Sequence, residues 1–262
     1  APALVLANPD YDQAPSPGSS VATGGVASQR SVDLSQFQVG PLPGTAAEAE
    51  AIAAILPDAT VLTTEQATEN VLKTTEAPGI LHIATHGFFL ADVERSRTDS
   101  RGIGVLSAES FGIPASAEIV VENPLLRAGL ALAGFNQRSS GEEDGVLTAL
   151  EASSLNLFGT QLVVLSACET GLGDIANGEG VYGLRRAFAI AGAESQLMSL
   201  WQVSDFGTQS LMGRYYEQLM SGKGRSEALR TVQLAMIQEG GEYSHPFYWA
   251  AFILAGDWRS LD

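Results

Sequence analysis

The chain has 262 residues, 14 Lys and Arg against 30 Asp and Glu, a net charge of −16 and 45% hydrophobic residues. That length and apolar content suit one large α/β domain with a sizeable core and exclude a wholly disordered chain. The acidic balance argues against a nucleic-acid partner, which needs a basic stripe, and the single cysteine excludes an intrachain disulfide and a multi-cysteine zinc site.

In chain order, Ala3 to Ala7 is a short apolar run closed by Asn8, Pro9 and Asp10, the pattern of a buried strand ending in a turn. Residues 11–44 are rich in Gly, Ser, Pro and Gln and read as a long mobile loop with a short strand near 37–39. Thr45 with Glu48 forms a capping-box pair, and Ala49, Ile52, Ala53 and Leu56 follow at helical spacing. A strand over 60–62 leads to a second box, Thr63 with Gln66, and a helix carrying Ala67, Val71 and Leu72. Ile80 to Phe89 reads as a fully buried strand running into a turn at Gly87. Residues 91–124 look irregular, 128–135 read as an apolar strand, and 146–158 as a helix with Leu147, Leu150, Leu155 and Phe158 on one face. A buried strand over 161–166 precedes a Gly-rich loop over 171–180. A helix carrying Val181, Leu184, Ala187 and Phe188 follows, then a strand over 196–203, helices near 206–220 and 226–238, and a last strand over 249–255. Strands alternating with helices imply a mostly parallel sheet covered on both faces, in one domain spanning 1–262. The chain opens directly in a strand-like run, so a fragment of a longer multidomain protein is expected.

In such sheets, sites form beyond the carboxyl ends of strands, beside a switch in strand order. Two strands here end in reactive residues. The run 80–87 puts His86 just past one strand, and the run 162–171 puts Cys168 just past another. If the strands are parallel neighbours, a thiol and an imidazole reach one edge, which is the pairing of a cysteine nucleophile with its base. The backbone N–H groups of Gly87 and Cys168 are the candidate oxyanion donors. A lone cysteine at a strand end is otherwise an inert small hydrophobe.

His-Ile-Ala-Thr-His-Gly at 82–87 and Ser-Ala-Cys-Glu-Thr-Gly at 166–171 resemble the signatures of CHAT-domain proteases, a caspase-like family often joined to TPR arrays. Further matches run along the chain: residues 3–10, 123–134, 144–151, 178–184, 199–205 and 245–252. The resemblance implies a caspase-like three-layer αβα sandwich with a mostly parallel central sheet. It also implies a Cys168–His86 dyad that hydrolyses peptide bonds without a cofactor or metal. The implied partners are a protein or peptide substrate and TPR or other sensor repeats in the full-length chain.

Asp205 follows the 196–203 strand and precedes a helix. One reading is a helix cap shared with Ser204. The other follows the related separase- and legumain-like enzymes, in which an acid after this strand sits in the S1 pocket and reads a basic residue, implying cleavage after Arg or Lys.

The remaining motifs have plainer readings. His82 and His86 are four apart, but on a strand that spacing does not make a metal site, and His82 reads as a core histidine. The 171–180 loop mimics a phosphate cradle but lacks the lysine of a P-loop. His245 reads as a surface or packing residue, and Trp201, Trp249 and Trp258 as core or pocket wall. Arg95, Arg97 and Arg101 stand in a polar stretch where an Arg-specific enzyme would nick itself. No run of about 18 apolar residues exists, so no membrane partner is expected. The one cysteine points to a cytoplasmic, reducing location. Two other functions fit the composition: a regulatory or adaptor domain with latent or lost protease activity, and a small-molecule-binding module.

Overall fold

A computed structural model describes residues 1–13, 37–90, 123–169, 179–201 and 203–261. Eight strands are β1 (Leu4–Pro9), β2 (Thr60–Thr64), β3 (Ile80–Phe89), β4 (Ala128–Ala131), β5 (Val146–Thr148), β6 (Leu162–Glu169), β7 (Ser195–Ser199) and β8 (Phe252–Gly256). The helices are α1 (Pro43–Ile55), α2 (Glu69–Thr74), α3 (Ala149–Ala152), α4 (Glu179–Ile190), α5 (Asp205–Met220), α6 (Arg225–Glu239) and α7 (Pro246–Trp249). One sheet runs β2-β1-β3-β6-β7-β8, with β4 paired to β3 and β5 to β4. The pairs among β1, β2, β3, β6 and β7 are parallel, while β4, β5 and β8 are antiparallel.

Period-two alternation assigns the two faces. Ile80 and Ala84 of β3 join Val164 of β6 in a core with Ile52 of α1, Leu211 and Tyr215 of α5 and Val232 of α6. Leu81 and Ile83 join Val163 and Leu165 in a second core with Leu72 of α2, Ala149 of α3 and Phe188 of α4. The central strands are apolar on both sides because helices cover both sides, and the result is the expected αβα sandwich. Each such side chain removed from water contributes roughly 1.5–3 kcal/mol. A third cluster, built on Phe88, Phe135, Val39 and Tyr11, lies beside the carboxyl end of β3.

Several elements differ from the sequence expectation. The 146–158 helix is instead β5 followed by the single turn of α3. The Thr148 side chain accepts from Glu151 N while the Glu151 carboxylate accepts from Thr148 N, so a capping box starts the helix three residues late. The β3 strand does not turn at Gly87, because β4 pairs there antiparallel, Gly87 opposite Leu130. The Thr45–Glu48 box does not form either. Thr45 Oγ1 donates to Leu42 O, Pro43 begins the helix, and Glu48 is buried. Helix α2 likewise starts later than its expected box, capped by Thr68. β7 stops at Ser199 rather than 203, and α7 precedes the last strand, capped by His245 Nδ1, which accepts from Phe247 N. Of the expected 11–44 loop, residues 37–42 are among the described residues and form no strand. Phe37 rests against Phe88 and Phe135, and Val39 is buried. Residues 14–36, 91–122 with Arg95, Arg97 and Arg101, and 170–178 of the Gly-rich loop lie outside the described residues.

Candidate active site

β3 and β6 are parallel neighbours, and their register sets Ile80 beside Leu162 and continues without a slip to His86 beside Cys168 and Gly87 beside Glu169. Backbones of neighbouring strands stand about 4.8 Å apart. The two residues singled out by the sequence therefore occupy one level at the carboxyl end of the sheet. They lie within their strands rather than just past them. The chain order reverses between β1 and β3, since β2 lies on one side of β1 and β3 on the other, so the carboxyl end of β3 borders the switch.

His86 is buried, with 8% of its surface exposed. Its Nε2 lies 2.7 Å from Gly40 O. A carbonyl only accepts, so Nε2 carries the proton of the neutral ring and Nδ1 carries the lone pair. The Tyr11 ring leans on the imidazole at 5.3 Å between centroids. Tyr11 Oη donates to Thr85 Oγ1, which donates in turn to Ala131 O. That chain ties the exit of β1 to β3 and β4 around the histidine. Gly40, Tyr11 and Thr85 were not singled out in the sequence. Gly40 acts through a backbone atom and leaves no sequence signal. Thr85 was readable, as a hydroxyl inside an otherwise apolar strand needs a partner.

Two positions deeper on the same face of β3, past Ala84, His82 is fully buried. Its Nδ1 is 3.0 Å from Tyr216 Oη, and its Nε2 is 3.2 Å from Glu48 Oε1, within ion-pair range but off hydrogen-bond alignment. Ser166 Oγ donates to Glu48 Oε2 at 3.0 Å. Burial, followed by the neighbouring Tyr215 and Glu48, raises Tyr216 well above the usual phenol range, so its hydroxyl keeps its proton. His82 is thus a core histidine. Among the described residues, one cluster of three acidic side chains has metal-ligand spacing: Glu69, Glu143 and Glu151. Lys73 Nζ fills its centre at 2.7, 2.9 and 3.1 Å. Burial holds Glu69 up to about 7 although Lys73 pulls it down.

Asp205 is the first residue of α5, with Ser204 at the cap position making no side-chain cap bond. Five residues separate it from the end of β7, so it belongs to the helix start and not to the strand end. Trp201 hydrogen-bonds Phe247 O and packs beside the core, Trp249 is half-buried, and Trp258 is 68% exposed, which corrects its expected place in the core.

The CHAT domain family profile matches residues 1–257. The chain belongs to the CHAT domain family. Tetratricopeptide repeat protein 28 of Mus musculus is 26% identical to this CHAT domain over 230 residues, which is 83% of this chain and 9% of that protein. Its counterpart in Homo sapiens is 27% identical over 225 residues, with 83% and 8% covered. The chain therefore spans less than a tenth of these relatives' length. Among solved structures, the Arg-specific cysteine proteinase gingipain R (RGPB) aligns with a TM-score of 0.48 at 9% identity, covering 99% of this chain and 46% of that one. Among the described residues, no helix of the CHAT domain is long and apolar enough to cross a membrane.

Proposed function

We propose that this CHAT domain is a cysteine endopeptidase in which Cys168 is the nucleophile and His86 the base. The observation that carries the reading is the register: His86 and Cys168 are direct partners on adjacent parallel strands. The Gly40 contact adds chemical sense to it, because it leaves the lone pair of the neutral ring on Nδ1. In the first half-reaction the imidazole takes the thiol proton and the sulfur attacks the scissile carbonyl; Gly87 is paired on both sides within the sheet, so its N–H is not assigned to the oxyanion. The imidazolium then protonates the leaving amine as the C–N bond breaks, giving an acyl-thioenzyme. In the second half-reaction the same nitrogen deprotonates water, which attacks the thioester and releases the acid and the thiol. Asp205 is assigned to the S1 pocket, where a carboxylate would pair with Arg or Lys of the substrate. The names of the curated relatives support a setting in which the domain works beside tetratricopeptide repeats.

A peptide library incubated with the purified chain tests the assignment. Hydrolysis after Arg or Lys is expected, together with an acyl adduct on Cys168 from a peptidyl ketone inhibitor. Cys168→Ala abolishes both. His86→Ala slows acylation by on the order of 100-fold or more. A Cys168→Ala variant that still hydrolyses at the wild-type rate would overturn the dyad.

A further inference from the structure

The amino-terminal end of the sheet, opposite the proposed dyad, carries an open strand edge. Among the described residues, β8 pairs with β7 on one side and with no strand on the other. Two bonds fix which way its backbone groups point. Leu200 N donates to Ala251 O at 3.0 Å, and Asp257 N donates to Glu194 O at 2.9 Å. Antiparallel pairs alternate between bonded and unbonded. Residues 251, 253, 255 and 257 therefore bond inward, and the backbone groups of Phe252, Leu254 and Gly256 face away from β7. Gln233 Nε2 donates to Phe252 O at 3.2 Å and covers that end. Among the described residues, the outward N–H and C=O of Leu254 and Gly256 have no partner. Natural sheets normally cover such edges, because they template pairing with another chain.

Beside this edge runs a groove of about 420 Å³ floored by alanines and rimmed by Arg185 and Arg186 of α4. In a chain with 30 acidic and 14 basic residues, neither guanidinium has a carboxylate partner among the described residues. The acid that does line the groove, Glu194, faces the buried Arg225 at 3.5 Å. The floor also holds Gln196, 4% exposed, whose Nε2 donates to Arg185 O and whose Oε1 accepts nothing.

We propose that the β8 edge and this groove form a docking site for an extended acidic peptide segment of a partner protein. The segment adds to the sheet as a further strand through the Leu254 and Gly256 backbone groups. Its alternate side chains on the α4 side are carboxylates that meet Arg185 and Arg186. A second copy of the chain is disfavoured as the occupant, since two bodies each carrying −16 repel one another. The site is independent of the dyad, and occupying it leaves the carboxyl end of the sheet open.

The test uses a fluorescently labelled synthetic peptide of alternating Glu and Val, a matched Lys and Val peptide, and amide hydrogen exchange at Leu254. The Glu peptide is expected to bind, to weaken as salt rises, and to slow exchange of the Leu254 amide. Arg185→Glu with Arg186→Glu should weaken it at least about tenfold. Arg186→Ala, a truncation at an exposed position, should weaken it less and reports on the site even if the double variant folds poorly. Equal binding of the Lys peptide, or no binding of the Glu peptide, overturns the proposal. So does a Leu254 amide that is already protected without peptide, whether at all concentrations or only as the chain self-associates.

Discussion

Single side chains in this domain separate into those that answer to burial and those that answer to chemistry. Glu69 is the clearest of the first kind. Its folded pKa of about 7 lies above the ordinary 4.5, so the protonated form is the one folding favours. Its contribution to stability is fully present below about pH 4.5 and is lost as pH rises through 7. Glu69→Gln keeps an acceptor for Gly145 N, which now donates to Glu69 Oε2, and removes the titration. Between pH 5 and 8, the wild type should therefore lose up to ~3 kcal/mol relative to this variant, read as diverging melting temperatures. Identical slopes for the two proteins would refute the shift. Asp205 is proposed to be of the second kind. As an S1 acid, its replacement by Ala strands a bound guanidinium and costs roughly 3–5 kcal/mol of selectivity for a desolvated pair, so Arg and Lys cleavage falls by orders of magnitude. As a first-turn acid it gives about 0.3–1 kcal/mol of helix stability and leaves the cleavage profile alone. Cleavage profiles and melting curves of the variant separate the two. Glu48 belongs with the first kind: removing it leaves the buried Ser166 hydroxyl without its acceptor, a loss of about 1–3 kcal/mol measurable by urea unfolding.

At the scale of elements, continuous burial was legible and mixed spacing was not. β3 was bounded correctly because Ile80 to Phe89 is largely apolar, buried on both faces, and starts after Pro78 and Gly79. Residues 146–158 deceived because Leu147, Leu150 and Leu155 suit a helix, while Val146 and Thr148 suit a strand. The deciding signal, Thr148 with Glu151, stood inside the run and marks the true start. Antiparallel β4 and β8 had no local signature, since direction depends on which strand a segment meets. The candidate site divides similarly. Two reactive residues at strand ends were readable, but their register and the Gly40 contact are tertiary facts. The β3–β4–β5 corner yields its own prediction. A Cβ on Gly129 would lie 2.6 Å from Leu147 O and 2.6 Å from the Phe88 ring. Gly129→Ala should therefore cost about 1–3 kcal/mol, seen as a lower urea midpoint. An unchanged midpoint would show that the corner relaxes freely.

Across the whole molecule, the sheet order predicts a gradient of opening. β1, β3 and β6 lie inside the sheet with helices on both faces, while among the described residues β2 and β8 end its main run. Local openings involve the elements with fewest buried contacts. Hydrogen exchange measured by peptide should therefore be slowest over β3 and β6 and fastest over β2 and β8. Uniform protection across the sheet would contradict this. The proposed catalytic pair then stands on the most slowly exchanging strands, and the proposed docking edge on one of the fastest.

The oxygen that orients His86 belongs to the backbone of residue 40, and among the described residues no atom outside its chain neighbours lies within 4 Å of where a Cβ there would stand. A small side chain such as that of Ala at that position presents the same carbonyl and meets no obstacle among the described residues. Mutational robustness is thus built into the tautomer of the proposed base. A scan of single substitutions would score position 40 as dispensable, although the ring depends on it. What the position does not tolerate is a change of length. Removing one residue between Gly40 and Pro43, where α1 begins, would draw the carbonyl away by about 3.5 Å. Insertions and deletions, which substitution maps do not sample, are the variation to which this contact is exposed.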